Sequence, residues 1–443
     1  MLLGQPKNMA DDERSAGEPT RRDYVKYGGA VLASGIVAGC SGGESTPSDA
    51  NGDDGATDGD ETPTGTPAQT PTATAPPGGE TATPTDSGTT TATPTAESGP
   101  YTVSMAPMGE VEFEAVPGSI FTRLTHLAGM AFALGRGNDV NAMHAPDYYD
   151  ALWNQFTPRL PGVSLDWSGL YSSWEPSKEK LYELDSDVHL ADPASVFALG
   201  SWNMADVEEV REGIGPWFGN HFSDTHAEPP SEWADDYEYY GLWEMFEKVA
   251  QVFREGERYE ALAAVRADLL GTIEADLPPE SERPTALLAG MSDVENPWVY
   301  RTDIPGFLAA HVRPLGAREA LGDDVDSGSQ IDMEGLLAAD PDVVFALGGM
   351  HPGTDVAGIR SALADHSVGS QVTAVRNDRI YPQGARYQGP VLNLFQIEMT
   401  AKQLYPDVFG EWPTYTEGPY PELPGDERLF DRERVADAVN GDI

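Results

Sequence analysis

From Tyr101 onward the apolar residues follow two alternating rhythms. VEFEAV (111–116) has a period of two, as a half-buried strand does, and stops at Pro117-Gly118. SIFTRLTHLAGMAFALG (119–135) then carries apolar residues at helical spacing and closes at Gly135. DVNAMH (139–144) reads as a further short strand. SVFALG (195–200), PTALLAG (284–290) and DVVFALGG (342–349) are near-continuous apolar runs ending at glycine, the pattern of strands covered on both faces of a parallel sheet. Between the two sets of strands, Leu262, Val265, Leu269 and Ile273 recur at spacings of three and four, and Pro278-Pro279 ends the segment. This predicts one helix within 256–279, a rod of roughly 30 Å. Strands alternating with helices on both sides of it predict an α/β fold with two central, mostly parallel sheets: one half over 101–255, the other over 280–412. A tail, 413–443, follows.

The two halves echo each other. DVHLADPASVFALG (187–200) and GLLAADPDVVFALG (335–348) share an Asp-Pro step before an apolar run. Proline disfavours the helical conformation in the residue before it, so each is read as a short helix, a stop and a buried strand. In the tail, DERLFDRERVADAVNG (426–441) has the pattern of one short helix, expected to pack on the second half.

The N-terminal stretch changes the picture of where the protein works. TRRDYVKYGGAVLASGIVAGC (20–40) puts Arg21 and Arg22 before a small-residue apolar run that ends at Cys40, the only cysteine. The run is too short to span a bilayer, which takes about 20 apolar residues. The pattern reads as a twin-arginine export signal over 1–39, with a lipid carried by Cys40 after cleavage. Residues 41–100 are almost wholly Gly, Pro, Thr, Ser, Ala, Asp and Glu, too polar to fold. As a coil they would average roughly 45 Å end to end, a stalk joining a lipid-anchored body to the outer face of the cell membrane.

Charge narrows the partners. The chain holds 27 basic and 73 acidic residues, a net charge of −46. The acids are scattered through the body, as on a surface adapted to concentrated salt, where screening weakens self-repulsion. Nucleic acid is excluded as a partner, since binding phosphates takes clustered Lys and Arg.

Catalytic patterns are missing: there is no GxSxG, no HExxH and no P-loop. Acidic pairs such as Asp235-Asp236 are sequence neighbours that do not face each other. His221 and His226 do not have the spacing of a helical metal-ligand pair, so no metal site and no cofactor are expected. The candidate chemistry is binding. In open α/β sheets, ligands sit outside the carboxyl ends of the strands. The loops assigned to those ends carry Phe121, Trp202, Trp298, Tyr300, Arg301, His351, Arg386 and Tyr387, with Trp174 nearby. Aromatic faces suit a bulky, partly apolar ligand, and the planar donors of arginine suit carboxylate or catecholate oxygens.

In these pieces the chain resembles the lipid-anchored substrate-binding proteins of ABC importers for iron–siderophore complexes, haem and cobalamin, in a haloarchaeal version. The resemblance rests on PGSIFTRLTHLAGMAFALGRGNDV (117–140), the paired Asp-Pro units, MEGLLAADPDVVFALGG (333–349), VTAVRNDRIYP (372–382) and NLFQIEMTAKQLYPDVFGEW (393–412). It implies two lobes joined by a rigid helix near 257–276, as in class III periplasmic binding proteins. It also implies a ligand in the inter-lobe cleft, modest hinge motion and no catalysis. A ferric siderophore is the expected cargo, with cobalamin or haem as the alternative. An extracellular hydrolase or a surface adhesion protein is the alternative of another class. The resemblance further implies a monomer that docks acidic residues onto a membrane permease. Glu334 takes the second-lobe position. The first-lobe position falls at Ser186, which departs from the family's glutamate, so Asp185 or Asp187 is expected to serve.

Overall fold

The computed structural model describes residues 99–443. Arg21, Arg22, Cys40 and the stalk lie outside the described residues. The chain opens with an antiparallel hairpin, β1 (Tyr101–Met105) and β2 (Gly109–Phe113). The first half then runs β3 (Ile120–Thr122), α1 (Thr125–Ala133), β4 (Val140–Met143), α2 (Pro146–Trp153), β5 (Tyr171–Ser172), α3 (Lys178–Leu184) and β6 (Val188–Leu190). Its four strands form a parallel sheet in the order β5-β4-β3-β6. Helices α4 (Pro193–Phe197), α5 (Met204–Gly213) and α6 (Leu242–Phe253) lead to α7 (Gly256–Asp276).

The second half has β7 (Thr285–Gly290), β8 (Trp298–Tyr300), β9 (Arg318–Glu319), β10 (Ser329–Gln330), α8 (Met333–Ala339), β11 (Val343–Ala346), α9 (Val356–Asp365), β12 (Ile380–Pro382) and α10 (Pro390–Leu404). Its sheet runs β10-β8-β7-β11-β12, with β9 also paired to β7. β7, β9, β11 and β12 are parallel, while β8 runs antiparallel to β7. The α/β architecture with central, mostly parallel sheets is the one the sequence predicts.

Successive strand residues point to opposite faces, so each sheet feeds two cores. Ile120, Leu288, Val343 and Phe345 join one central cluster that takes side chains from both halves. Leu287, Val344 and Ala346 face a separate outer core of the second half. Phe121 faces the outer core of the first half with Trp202 and Trp217. Helix α1 is buried at every residue, which its near-continuous apolar sequence allows. It meets the start of α10 at a pair of glycines. A Cβ on Gly129 would lie 2.8 Å from the Cα of Gly389, so any side chain there would force the halves apart. α7 buries only Leu262, Val265, Leu269 and Ile273, one stripe of a helix otherwise turned outward.

Two expectations need correcting. SVFALG is not a strand: Pro193–Phe197 is α4, and the strand of that unit, β6, lies before the Asp-Pro step. Both aspartates avoid the right-handed helical conformation, as the following proline requires. Asp340 does so at φ 36, closing α8, whereas Asp192 is extended and its side chain caps the start of α4 by accepting from Ala194 N. Proline is equally at home in the first turn of a helix, so an Asp-Pro step can open a helix as well as close one.

The second correction is one of extent: the tail packs on the second half, as expected, through Tyr420, Phe430 and Arg432 against α10, but it reaches beyond it. Its helix α11 (Arg432–Asn440) lies along α7, where Arg258 donates to the carbonyls of Ala438 and Val439 and Arg434 pairs with Asp268 at 2.7 Å. Arg432 pairs with Glu398, a fully buried carboxylate of α10 that also accepts from the Tyr420 hydroxyl at 2.7 Å. Asn440 Nδ2 reaches Pro161 O in the first half at 3.2 Å. The tail is therefore a strap over the central helices, held to α7, to α10 of the second half and to Pro161 of the first.

Candidate functional site

The carboxyl ends of β4, β7, β11 and β12 open onto one cavity of about 880 Å³. After β4 the chain turns sharply at Ala145, a non-glycine residue at φ 41, and Pro146 starts α2. Such conformations persist only where the surroundings hold them, and here the turn directs His144, Tyr148 and Tyr149 to the cavity. The second half supplies Met291 and Val294 after β7, Leu347 and Gly348 after β11, Ile359 of α9, and Arg386 and Tyr387 after β12. Tyr300 of β8 completes the wall. The lining is thus mostly aromatic and apolar, with hydroxyls at Ser172, Ser292 and Thr354, carboxylates at Asp147 and Asp355 and one arginine.

Tyr148 crosses to the second half and stacks on His351, with ring centroids 4.0 Å apart and planes 11° apart. Gly348 has φ +72, and a Cβ there would sit 2.6 Å from the Tyr148 hydroxyl, so this loop needs glycine on both counts. His351 Nδ1 accepts from Gly353 N at 2.9 Å, and burial lowers its pKa to about 4. The imidazole is therefore neutral at neutral pH.

Beneath the cavity the halves are joined by polar contacts. Arg386 Nη2 donates to Asp224 Oδ2 at 2.8 Å, and the guanidinium lies 4.7 Å from the ring centre of Tyr300 and 4.8 Å from that of Tyr387. Burial, the largest single influence, opposes ionisation of Asp224, but the charge of Arg386, the nearby His221 and the hydrogen bonds from Arg386 and Thr225 together hold the carboxyl below its ordinary range. Thr125 Oγ1 donates to Tyr387 O at 2.9 Å. His126 packs on Phe307 at 4.7 Å and on Tyr387, which His221 also faces. Burial lowers the pKa of His126 to about 3 and that of His221 to about 4.

Of the residues expected at the site, Tyr300, Arg386 and Tyr387 line the cavity, and His351 adjoins it through Tyr148. Trp174 stands behind His144 at 4.5 Å and under Arg123 at 5.1 Å. The others lie elsewhere. Phe121 precedes the carboxyl end of β3 and points into the outer core. Trp202 is buried there, its Nε1 donating to Pro176 O at 3.0 Å. Trp298 pairs with Gly290 within the sheet and does not line the cavity. Arg301 is engaged by Asp303 at 2.9 Å and by Gly322 O at 2.8 Å. The sequence reading missed His144, Tyr148, Tyr149 and Asp224. The first three follow directly from the carboxyl-end rule applied to β4.

The surface acids also shift. Helices α3 and α8 each have seven residues, end at an aspartate of positive φ (Asp185, Asp340), and lead to a strand at Val188 and Val343. In this alignment of structure the counterpart of Glu334 is Glu179, the second residue of α3, and both are exposed. Asp187 instead accepts from Gly118 N at 2.8 Å and Ser119 N at 2.9 Å, which ties its carboxylate to the chain's own backbone.

Two mostly parallel sheets thus face a shared cavity at their strand ends. The sequence model of the family described as Periplasmic binding protein matches residues 219–387. A periplasmic binding protein from Veillonella parvula is similar in structure, with 14% identity, a TM-score of 0.50 and coverage of 70% of this chain and 92% of that one. The iron uptake ABC transporter substrate-binding protein PiuA of Streptococcus pneumoniae shares 18% identity over 68% of this chain and 96% of its own, with a TM-score of 0.46. The periplasmic heme-binding protein RhuT of Roseiflexus shares 20% over 65% and 97%, with a TM-score of 0.43. At these identities the likeness concerns the fold alone, and the Veillonella structure carries it. No curated protein matches the sequence.

Proposed function

We propose that the protein is the solute-binding component of an ABC importer. In this reading a lipid on Cys40 tethers it to the outer face of the membrane, and it captures a ferric siderophore between its halves. The observation that carries the proposal is the aromatic cavity of about 880 Å³ at the carboxyl ends of both sheets, large enough for a bulky chelate. Tyr148, Tyr149, Tyr300 and Tyr387 form its ligand-facing walls, while Glu179 and Glu334 are the acids offered to a permease. Tethering would keep the loaded protein near that permease and raise its effective concentration. The family match and the similar fold support binding without turnover.

The test is a calorimetric titration of the full chain, in concentrated KCl, with ferric siderophores, haem and cobalamin. Saturable binding of a siderophore is expected. Binding of haem or cobalamin alone would replace the cargo, and silence across the panel from folded protein would sink the importer reading. In cells, Glu179→Lys with Glu334→Lys is expected to abolish uptake while leaving cargo affinity unchanged; uptake at the normal rate would remove the docking assignment.

A further inference from the structure

The charge of the cavity wall says which chelates it can take. Its one lining arginine, among the described residues, is Arg386. That cation is already matched inside the protein: Asp224, only 3% exposed, holds Nη2 at 2.8 Å, and the Tyr300 hydroxyl lies 3.3 Å from Nη1. His144 and His351 bring no positive charge at neutral pH, since burial lowers their pKa values to about 3 and about 4. What remains at the rim is acidic, with Asp147 and Asp355 both exposed. The rest of the wall is uncharged: mostly apolar or aromatic, including Met291, Leu347 and Ile359, with the hydroxyl residues Ser172, Ser292 and Thr354. An anionic ligand would leave water for a partly desolvated wall with no cation to meet it, and like charge at close range disfavours binding.

A ferric tris-hydroxamate is electrically neutral, because three monoanionic groups balance the trivalent ion. A ferric tris-catecholate, built from dianionic groups, keeps a triple negative charge. We propose that the cleft selects chelates without negative charge, the neutral ferric tris-hydroxamate class, and discriminates against tris-catecholates because Asp224 neutralises the only arginine in its wall among the described residues. This rests on the cleft being the ligand site. It also reverses the expectation that arginine would favour catecholate or carboxylate oxygens: the arginine is present, and its charge is taken.

The test compares ferrichrome, a neutral tris-hydroxamate, with ferric enterobactin, a tris-catecholate, against the full chain at one fixed KCl concentration. Binding is read by equilibrium dialysis of radioactive iron. Ferrichrome is expected to bind at least about 10-fold more tightly, a difference of roughly 1.4 kcal/mol. Asp224→Asn keeps the shape of the side chain and frees the charge of Arg386, so it should narrow the gap by raising catecholate affinity. Circular dichroism checks its fold. Should it fail to fold, Asp355→Asn at the exposed rim is expected to shift the ratio in the same direction by a smaller factor. Equal or tighter binding of the catecholate by the unmodified protein overturns the charge selection and leaves the importer reading standing. A ratio that neither variant moves overturns the role given to Asp224 and the rim. Binding of neither chelate by folded protein overturns the siderophore reading, and this inference with it.

Discussion

Arg301 and Arg386 stand in two loops of the same half, and the side chains are almost equally covered, 15% and 17% exposed. Each has a carboxylate at 2.8–2.9 Å. Their partners separate them. Asp303 is half exposed and two residues away in sequence, so Arg301 stiffens its own loop. Asp224 is 3% exposed and belongs to the segment before α6, so Arg386 ties one half of the molecule to the other under the cavity. The lesson is that an arginine's role is read from the burial and origin of its partner more than from its own exposure.

Of the substitutions, breaking the pair at Asp224 should have the largest effect. Asp224→Ala leaves a guanidinium without its counter-charge beside a buried surface, and is expected to cost about 3 kcal/mol in urea unfolding. A loss below about 1 kcal/mol would show that solvent at the cavity replaces the carboxylate.

Acid probes the same buried region without a substitution, in two stages. His126 and His221 have folded pKa values lowered by burial to about 3 and about 4, against 6.5 unfolded. The unfolded chain therefore binds protons first, and stability that is complete above about pH 6.5 declines as pH falls toward 4. Each group contributes up to about 1.4 kcal/mol per pH unit in that window. Asp224, whose folded pKa is depressed, adds its loss only lower, as pH falls below the ordinary carboxylate range. A urea midpoint that stays flat from pH 7 to 5 would contradict this order.

Arg301→Ala should do least. An ion pair whose carboxylate is half exposed is worth at most about 1 kcal/mol, and the residue does not line the cavity, so ligand affinity should not change. A loss of affinity would return Arg301 to the site.

The periodicity of the sequence carried most of the architecture. The α1 helix, the β4, β7 and β11 strands and the stripe of α7 all stand where apolar spacing put them, because burial on a sheet or helix face leaves a period in the sequence. The site was less legible. Phe121 and Trp202 are large aromatic residues that the apolar pattern places at strand ends, and the outer core uses such residues as readily as a ligand cavity does. Which face a strand residue takes depends on register, and a single misplaced strand end moved Phe121 from wall to core. The Asp192-Pro193 step misled for a related reason: proline's constraint on its neighbour is satisfied by a helix start and by a helix stop alike. Asp224 left no signal at all, since its partner lies in the other half of the chain.

The strap over α7 has a consequence for when the fold can be completed. Residues 413–440 are made after both sheets, yet they bring Arg432 and the Tyr420 hydroxyl to Glu398, at the centre of α10. A nascent chain that stops before them would hold a bare carboxylate among apolar side chains, so its core would stay open to water. Synthesis and folding are thereby put in sequence: the two sheets can form as they emerge, but the molecule closes only once its strap is free to reach across.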